Sequence, residues 1–510
     1  MGNFTEIPFL SLSNPAARLE RATDAFPLRF MQEYKFCPMR LDNGSLAVVM
    51  SDPTDVYTLD SIRLQAGSEV QVFVGDEREI LKALEQHYGS SSSMERIIDD
   101  IEDEEGAVDE NDSDVAHLKD LASEAPVIRL VNLLITKAAE DRASDIHIEP
   151  FEGSLRVRYR IDGLLVDTES PPQRLQAAIV SRIKLMAKMN IAERRLPQDG
   201  RIKMEVNGRD IDLRVSTIPT LYGESAVLRL LDRSSVLLGL DELGFPPAAR
   251  QHFDALIRRP NGIILVTGPT GSGKTTTLYA ALSTINSIEK NIITIEDPVE
   301  YQFKGVKQIQ VRPRIGLSFA SGLRHIVRQD PDVILVGEIR DKETAEIAIH
   351  AALTGHLVLS TLHTNDAAGA ITRLLDMGIE NYLVSSTLLA VLAQRLVRKI
   401  CAKCKISSPA DERTLQNIKI PVAATRALSL CRGEGCPDCN FTGYFGRLGI
   451  FELLTVEAGL QRLIADKADS RNIRDKAVQG GMKTLWQDGW EKVAAGVTTL
   501  EELLRVTYES

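Results

Sequence analysis

Eight consecutive residues carry the clearest chemical capacity: Gly268, Pro269, Thr270, Gly271, Ser272, Gly273, Lys274 and Thr275. Glycines so placed let a backbone wrap closely round an anion with its amides turned inward. The Lys274 ammonium suits terminal phosphates, and the Thr275 hydroxyl suits a magnesium ion. The run matches G-x-x-x-x-G-K-[ST] at every fixed position. It follows the apolar GIILVTG (262–268) and precedes the helical TTTLYAALSTI, the context a phosphate-binding loop requires. The competing reading, a glycine-rich turn that matches by chance, has that context against it.

Two acidic clusters end later apolar runs: Glu296-Asp297-Pro298-Val299-Glu300 and Gly337-Glu338-Ile339-Arg340-Asp341. Hydrolysis of a nucleoside triphosphate needs one carboxylate to hold Mg²⁺ through water and another to orient the attacking water. Asp341 also fits as the cap of the helical KETAEIAIHAAL. His356 and His363 flank a fourth apolar run. A neutral histidine can hydrogen-bond a γ-phosphate, although a lone histidine is more often simply packed or solvated.

Cys401-x₂-Cys404 and Cys436-x₂-Cys439 are separated by 31 residues. Four thiolates in two such pairs can close a tetrahedron around Zn²⁺. Cys431 is an extra near the second pair, and Cys37 stands far off in sequence.

The elements that must position these residues are legible as pattern. GIILVTG, NIITIED (291–297), DVILVGE (332–338) and HLVLSTL (356–362) are short apolar runs separated by helical segments. That alternation predicts a parallel sheet covered on both faces, with ligands at the carboxyl ends of its strands. Residues 122–232 alternate strands and helices, with turns at Gly163 and Asn207-Gly208, and predict a mixed α/β domain. Residues 1–88 predict a small α/β docking domain, with strands at 46–50 and 69–74 and helices at 51–67 and 77–89.

The chain has 510 residues, 44% of them hydrophobic and 26% charged. That size implies several domains. Twelve acids against Arg96 and Lys119 fall within residues 95–120, so ten of the eleven net negative charges lie there. This predicts a solvated tether over 89–121. The near-neutral remainder argues against a nucleic-acid-tracking surface. No apolar run reaches the roughly 18 residues of a membrane span. MGNFTEIPFL has no basic stretch followed by an apolar one, so a cytoplasmic protein is expected.

The phosphate loop, TIEDPVE (294–300), ILVGEIRD (334–341) and TGHLVLSTLHTNDA (354–367) together resemble the Walker A, Asp, Walker B and His boxes of the secretion-superfamily motor ATPases. ASDIHIEP (143–150) and ERRLPQDGRI (193–202) resemble the amino-terminal half of that motor. EAPVIRLVNLLITKAAE and DLRVSTIPTLYGESAVLRLLDR, with the four-cysteine segment, resemble its type II secretion branch. The resemblance implies an α/β fold in six parts: a docking domain (1–88), a linker (89–121), a PAS-like first motor half (122–232), a RecA-like P-loop domain (233–400), a zinc-binding subdomain (401–440) and a helical C-terminal region (441–510). It further implies that Glu338 holds Mg²⁺ through water, Glu300 polarises the attacking water and His363 senses the γ-phosphate. The implied assembly is a homo-hexamer peripheral to the inner membrane. An adaptor would meet the amino-terminal domain, a platform protein would be driven, and nucleic acid would have no part. Arginines donated to a neighbour's ATP would come from Arg201, Arg214 or Arg229, or from Arg324, Arg328 or Arg340. The function expected is ATP-driven pseudopilus assembly. A type IV pilus extension motor is the alternative within the enzyme class, and a nucleic-acid translocase or a scaffold without turnover are the alternatives outside it.

Overall fold

The computed structural model describes residues 125–232, 238–409 and 429–507 throughout. Before residue 125 it describes 34–40, 46–66, 70–88 and scattered positions. Most of the expected tether, and residues 410–428 between the two cysteine pairs, lie outside the described residues.

Near the amino terminus, β1 (Glu20–Arg21), β2 (Phe36–Arg40), β3 (Leu46–Met50) and β4 (Val70–Val74) form one sheet in that order. β3 and β4 are parallel, which requires a crossover, and the helix Val56–Ala66 supplies it. Phe26, Phe36, Val48, Ile62 and Leu84 fill its core. One expectation fails just beyond it. Met94 is buried among the residues of the next domain, and Ile97 and Ile98 pack against the same core. The start of the acidic stretch is therefore docked. Its M-x-x-I-I spacing puts three apolar side chains on one helical face, which outweighs the acids around them.

The second sheet is antiparallel. β5 (Asp145–Phe151), β6 (Ser154–Ile161), β7 (Leu164–Asp167), β8 (Gln198–Val206), β9 (Arg209–Thr220) and β10 (Gly223–Asp232) lie in the order β7-β6-β5-β10-β9-β8. The turns are Asp162-Gly163 and Asn207-Gly208, both with positive φ at both residues, as two-residue hairpins require. The helices Ala125–Glu140 and Gln176–Met186 bury Leu130, Leu134, Ile179 and Ile183 against the sheet. The register sets Arg160, Asp145, Arg229, Arg214 and Arg201 side by side, one per strand, in a charged row across five strands.

The third sheet holds β11 (Gly262–Thr267), β12 (Ile292–Glu296), β13 (Val306–Gln310), β14 (Val333–Val336), β15 (Leu357–Leu362) and β16 (Leu388–Ile400), all parallel. β11, β14 and β15 are buried at every residue, as expected for a sheet covered on both faces. β17 (Lys405–Pro409) and β18 (Ser429–Gly433) form a separate antiparallel pair. β19 (Tyr444–Thr455) then pairs antiparallel with β16 and closes the edge, giving the order β13-β12-β14-β15-β11-β16-β19. The expectation of a helical region over 441–510 is corrected here, because roughly its first fifth is a strand of the third sheet. YFGRLGIFELLT has two glycines and mixes polar with apolar residues, so neither a period of two nor a continuous apolar run announces it.

Candidate nucleotide site

The phosphate loop joins the end of β11 to the helix Lys274–Ile285. Gly268 and Gly273 lie at φ +150° and +87°; a Cβ on Gly268 would stand 2.5 Å from the Gln394 carbonyl and 2.6 Å from Ser272 Oγ. The loop thus needs glycine for close approach as well as for handedness. Ser272 Oγ is buried with no hydrogen-bond partner, a free polar atom within the loop. Lys274 Nζ donates back to the carbonyls of Gly268, 2.7 Å, and Pro269, 3.1 Å. Burial holds its pKa down at about 8, against the opposing pull of Glu338.

A cavity of about 780 Å³ opens over this loop, lined by Pro269 to Thr276, Glu300, Glu338 and His363. Glu338 aims one carboxylate oxygen at Arg340, 2.6 Å, and the other at His363 Nε2, 3.4 Å. The residue before it is Gly337, where a Cβ would press on the Ile295 carbonyl at 3.3 Å. Glu300 stands at the rim. Desolvation by the surrounding walls raises its pKa, while Arg214 and Arg229 pull the other way.

The other acids and histidines have different duties. Glu296 is 3% exposed and accepts from Tyr279, from Thr294 at 2.5 Å and from Gln308 at 3.2 Å. Its carboxylate is therefore engaged in packing. Asp341 caps the helix Lys342–Leu353 through the Thr344 amide, as expected. His356 Nδ1 donates to the Ala351 carbonyl, 2.8 Å, at the far end of β15.

Among the arginines, Arg214 Nη2 donates to the Val299 carbonyl, 3.2 Å, and Arg201 is its cross-strand neighbour. Arg160 and Arg229 line the cavity itself. Within this chain Arg214 addresses the rim of the chain's own nucleotide cavity, which the second sheet borders through Asp145, Arg160 and Arg229. Arg324 pairs with Glu343, and Arg328 with His325 at 2.9 Å, on the exposed surface. Sequence reasoning missed Gln394 and Arg395 of β16. Arg395 lines the cavity, and no motif marks either residue.

Cys401, Cys404, Cys436 and Cys439 form a cluster whose sulfurs all lie within 4.8 Å of one another. Three of the separations are 3.8, 3.9 and 3.7 Å. Backbone amides of Gly435, Cys436 and Gly443 donate to these sulfurs at 3.3, 3.2 and 3.3 Å, which favours thiolates. Gly433 and Gly443 face each other so closely that a Cβ on Gly433 would sit 2.1 Å from the Gly443 carbonyl. Cys431 is outside the cluster, its sulfur turned toward Gly496.

The parts of the chain built on the second and third sheets meet beside this cluster. Asp141 accepts from Asn440, 2.8 Å, and the Arg142 guanidinium lies 3.7 Å over the Phe445 ring. Asp162 accepts from the Gly446 amide, 2.9 Å, with Arg447 3.8 Å away.

A family model described as type II/IV secretion system protein matches residues 120–505, and one for the MshEN domain matches residues 5–94. The type II secretion system protein E of Xanthomonas campestris is 51% identical over 487 residues, covering 95% of this chain and 85% of that protein. The chain belongs to the type II secretion system ATPase E family. As a member of the E family it is an ATP-hydrolysing motor enzyme. The type IV pilus assembly ATPase PilB of Myxococcus xanthus is 45% identical, covering 94% of this chain and 85% of that protein. The Legionella pneumophila ATPase DotB superposes with a TM-score of 0.55 at 20% identity, over 74% of this chain and 95% of that one. It shares the RecA-like fold of this E-family chain.

Proposed function

We propose that the chain hydrolyses ATP in the cavity over residues 268–275, and that the resulting motion between its two motor halves drives pseudopilus assembly and protein export by type II secretion. The observation that carries this reading is the convergence of Lys274, Glu338 and His363 on one cavity. The phosphates sit on the loop amides at the helix amino terminus. Lys274 exchanges its two loop carbonyls for phosphate oxygens. His363 reads the γ-phosphate while Glu338 holds its ring. Glu300, kept basic at the rim, orients the attacking water. Mg²⁺, when bound, neutralises charge on the phosphates, and Thr275 with Glu338 would hold it. Arg214 and Arg229 bring positive charge to the rim from the first half.

Zinc fits the cysteine cluster. A tetrahedron with zinc–sulfur bonds of about 2.3 Å has edges of about 3.8 Å, close to the sulfur separations in the cluster. It would be held by Cys401, Cys404, Cys436 and Cys439 and would supply a rigid cross-link. We assign residues 1–88 to docking on an inner-membrane adaptor, and 122–232 to a PAS-like first motor half. The working form is a homo-hexamer on the cytoplasmic face of the inner membrane, acting on a platform protein, with membrane association through partners only. No helix among the described residues is long and apolar enough to cross a membrane. The second reading, a type IV pilus extension motor, draws on the similarity to PilB and uses the same site. Pull-down of the full chain from membranes, identifying the adaptor, separates the two.

Lys274→Ala removes a phosphate counter-charge and no core contact. Turnover should fall to background while the circular dichroism spectrum and melting temperature hold. Steady-state hydrolysis near that of the parent would overturn the site assignment.

A further inference from the structure

Adjacent residues of a strand point to opposite faces of the sheet. On β16, Gln394 and Arg395 use that alternation to reach two different loops of the nucleotide site. Gln394 is 1% exposed, and its Nε2 donates to the Ser272 carbonyl at 2.6 Å. The loop rests on it without slack: a Cβ on Gly273 would stand 3.2 Å from that same nitrogen. Arg395 is 7% exposed. Its guanidinium donates to the Asn365 carbonyl at 2.8 Å, to Asn365 Oδ1 at 3.3 Å and to the Gln394 carbonyl at 3.1 Å. Asn365 lies two residues beyond His363. The end of β11, just before the phosphate loop, also touches the His363 loop, through Thr267 Oγ1 and Thr364 Oγ1 at 2.7 Å.

We propose that Gln394 and Arg395 are positioning residues for ATP hydrolysis, yoking the phosphate loop to the loop that carries His363. Gln394 fixes the height of the phosphate loop over the sheet. Arg395 ties the His363 loop to the same strand, one residue on. The distance from His363 to the seated γ-phosphate is then set by a single rigid element. A planar fork is suited to this task, since it serves two carbonyls in fixed directions, which a lysine ammonium does not. The proposal rests on the reading above that His363 acts at the γ-phosphate.

The test compares Arg395→Lys, His363→Ala and the double variant in the full chain, by steady-state ATP hydrolysis and by binding of a fluorescent ADP. Arg395→Lys should lower kcat by tenfold or more, on the order of 10²-fold at most, with ADP affinity changed less than about threefold. Because Arg395 acts through His363, the double variant should be no slower than His363→Ala alone. Multiplying losses in the double variant would overturn the yoke. So would a parental kcat in Arg395→Lys, or ADP affinity falling in step with kcat, which would make Arg395 a direct phosphate ligand. Asn365→Ala, at an exposed position, removes one acceptor of the fork and serves if Arg395→Lys does not fold. It should lower kcat by about threefold at unchanged ADP affinity, and an unchanged kcat would equally overturn the proposal. Full turnover in His363→Ala would sink the underlying reading and the yoke with it. A loss there, with none in the Arg395 and Asn365 variants, would sink the yoke alone.

Discussion

Lys274 is charged at neutral pH only at a cost, since burial holds its pKa at about 8 before nucleotide arrives. The sign follows from proton counting. A lysine whose folded-state value lies below its unfolded value binds fewer protons when folded. Free-enzyme stability therefore gains from this group as pH rises from about 8 toward the ordinary lysine range. Nucleotide binding runs the other way, because phosphate needs the ammonium. ADP binding should take up protons, increasingly so between about pH 7 and pH 9, and affinity should weaken over that interval. Calorimetry in buffers of different ionisation heat measures the uptake. Proton uptake that does not change over that range would show that Lys274 is fully charged before binding. The acids nearby show what residue types reveal alone. Glu296 and Glu300 stand in one pentapeptide, and both are candidates by type. Only the partners separate them, with Glu296 sealed by Tyr279, Thr294 and Gln308 while Glu300 faces the rim. Gln394 and Arg395 lay beyond reach because their meaning is a pair of hydrogen bonds to loops 122 and 30 residues away in sequence.

At the scale of elements, the cysteine cluster depends on two turns and a pair of facing glycines. Removing one thiolate leaves three ligands and an unbalanced knuckle. Cys404→Ser should lose its zinc and become susceptible to limited proteolysis within 401–440, whereas Cys431→Ser should keep the metal. Elemental analysis of protein purified without chelator checks both. Absence of zinc from the parent chain would refute the metal assignment. The apolar runs of β11, β14 and β15 were legible because strands buried on both faces must be apolar throughout. The two cysteine pairs were legible because metal ligands come with short fixed spacings. β19 was not. It is an edge strand that satisfies one neighbour by backbone pairing, and its side chains divide between core and surface without a clean period.

For the whole molecule, the question is which chain's arginines serve which site. In this structure Arg214 binds the Val299 carbonyl of its own chain. Arg214→Ala should accordingly reduce kcat more than nucleotide affinity. Mixing it with Lys274→Ala chains should restore no activity, since no chain in the mixture owns both groups. Recovery of turnover in the mixture would place the arginine across a subunit boundary in the working assembly. The docking of the two halves was invisible in sequence. It consists of single contacts between turns, such as Asp162 with Gly446, some 284 residues apart.

The second sheet is held at Asp162, at the end of β6, while the opposite edge, β8, carries Arg201. Four strand spacings of about 4.8 Å separate β6 from β8, a span of about 19 Å. A rotation of roughly 10° about the Asp162 contact therefore sweeps that far edge through about 3 Å. The turn at Asp162-Gly163 itself lines the nucleotide cavity beside Arg160 and Arg229, so the far edge moves most and the residues over the phosphate loop move least. A stroke of that length is one hydrogen bond long. Arg214, three spacings from β6, moves through about 2.5 Å in the same rotation, enough to break its hydrogen bond to the Val299 carbonyl.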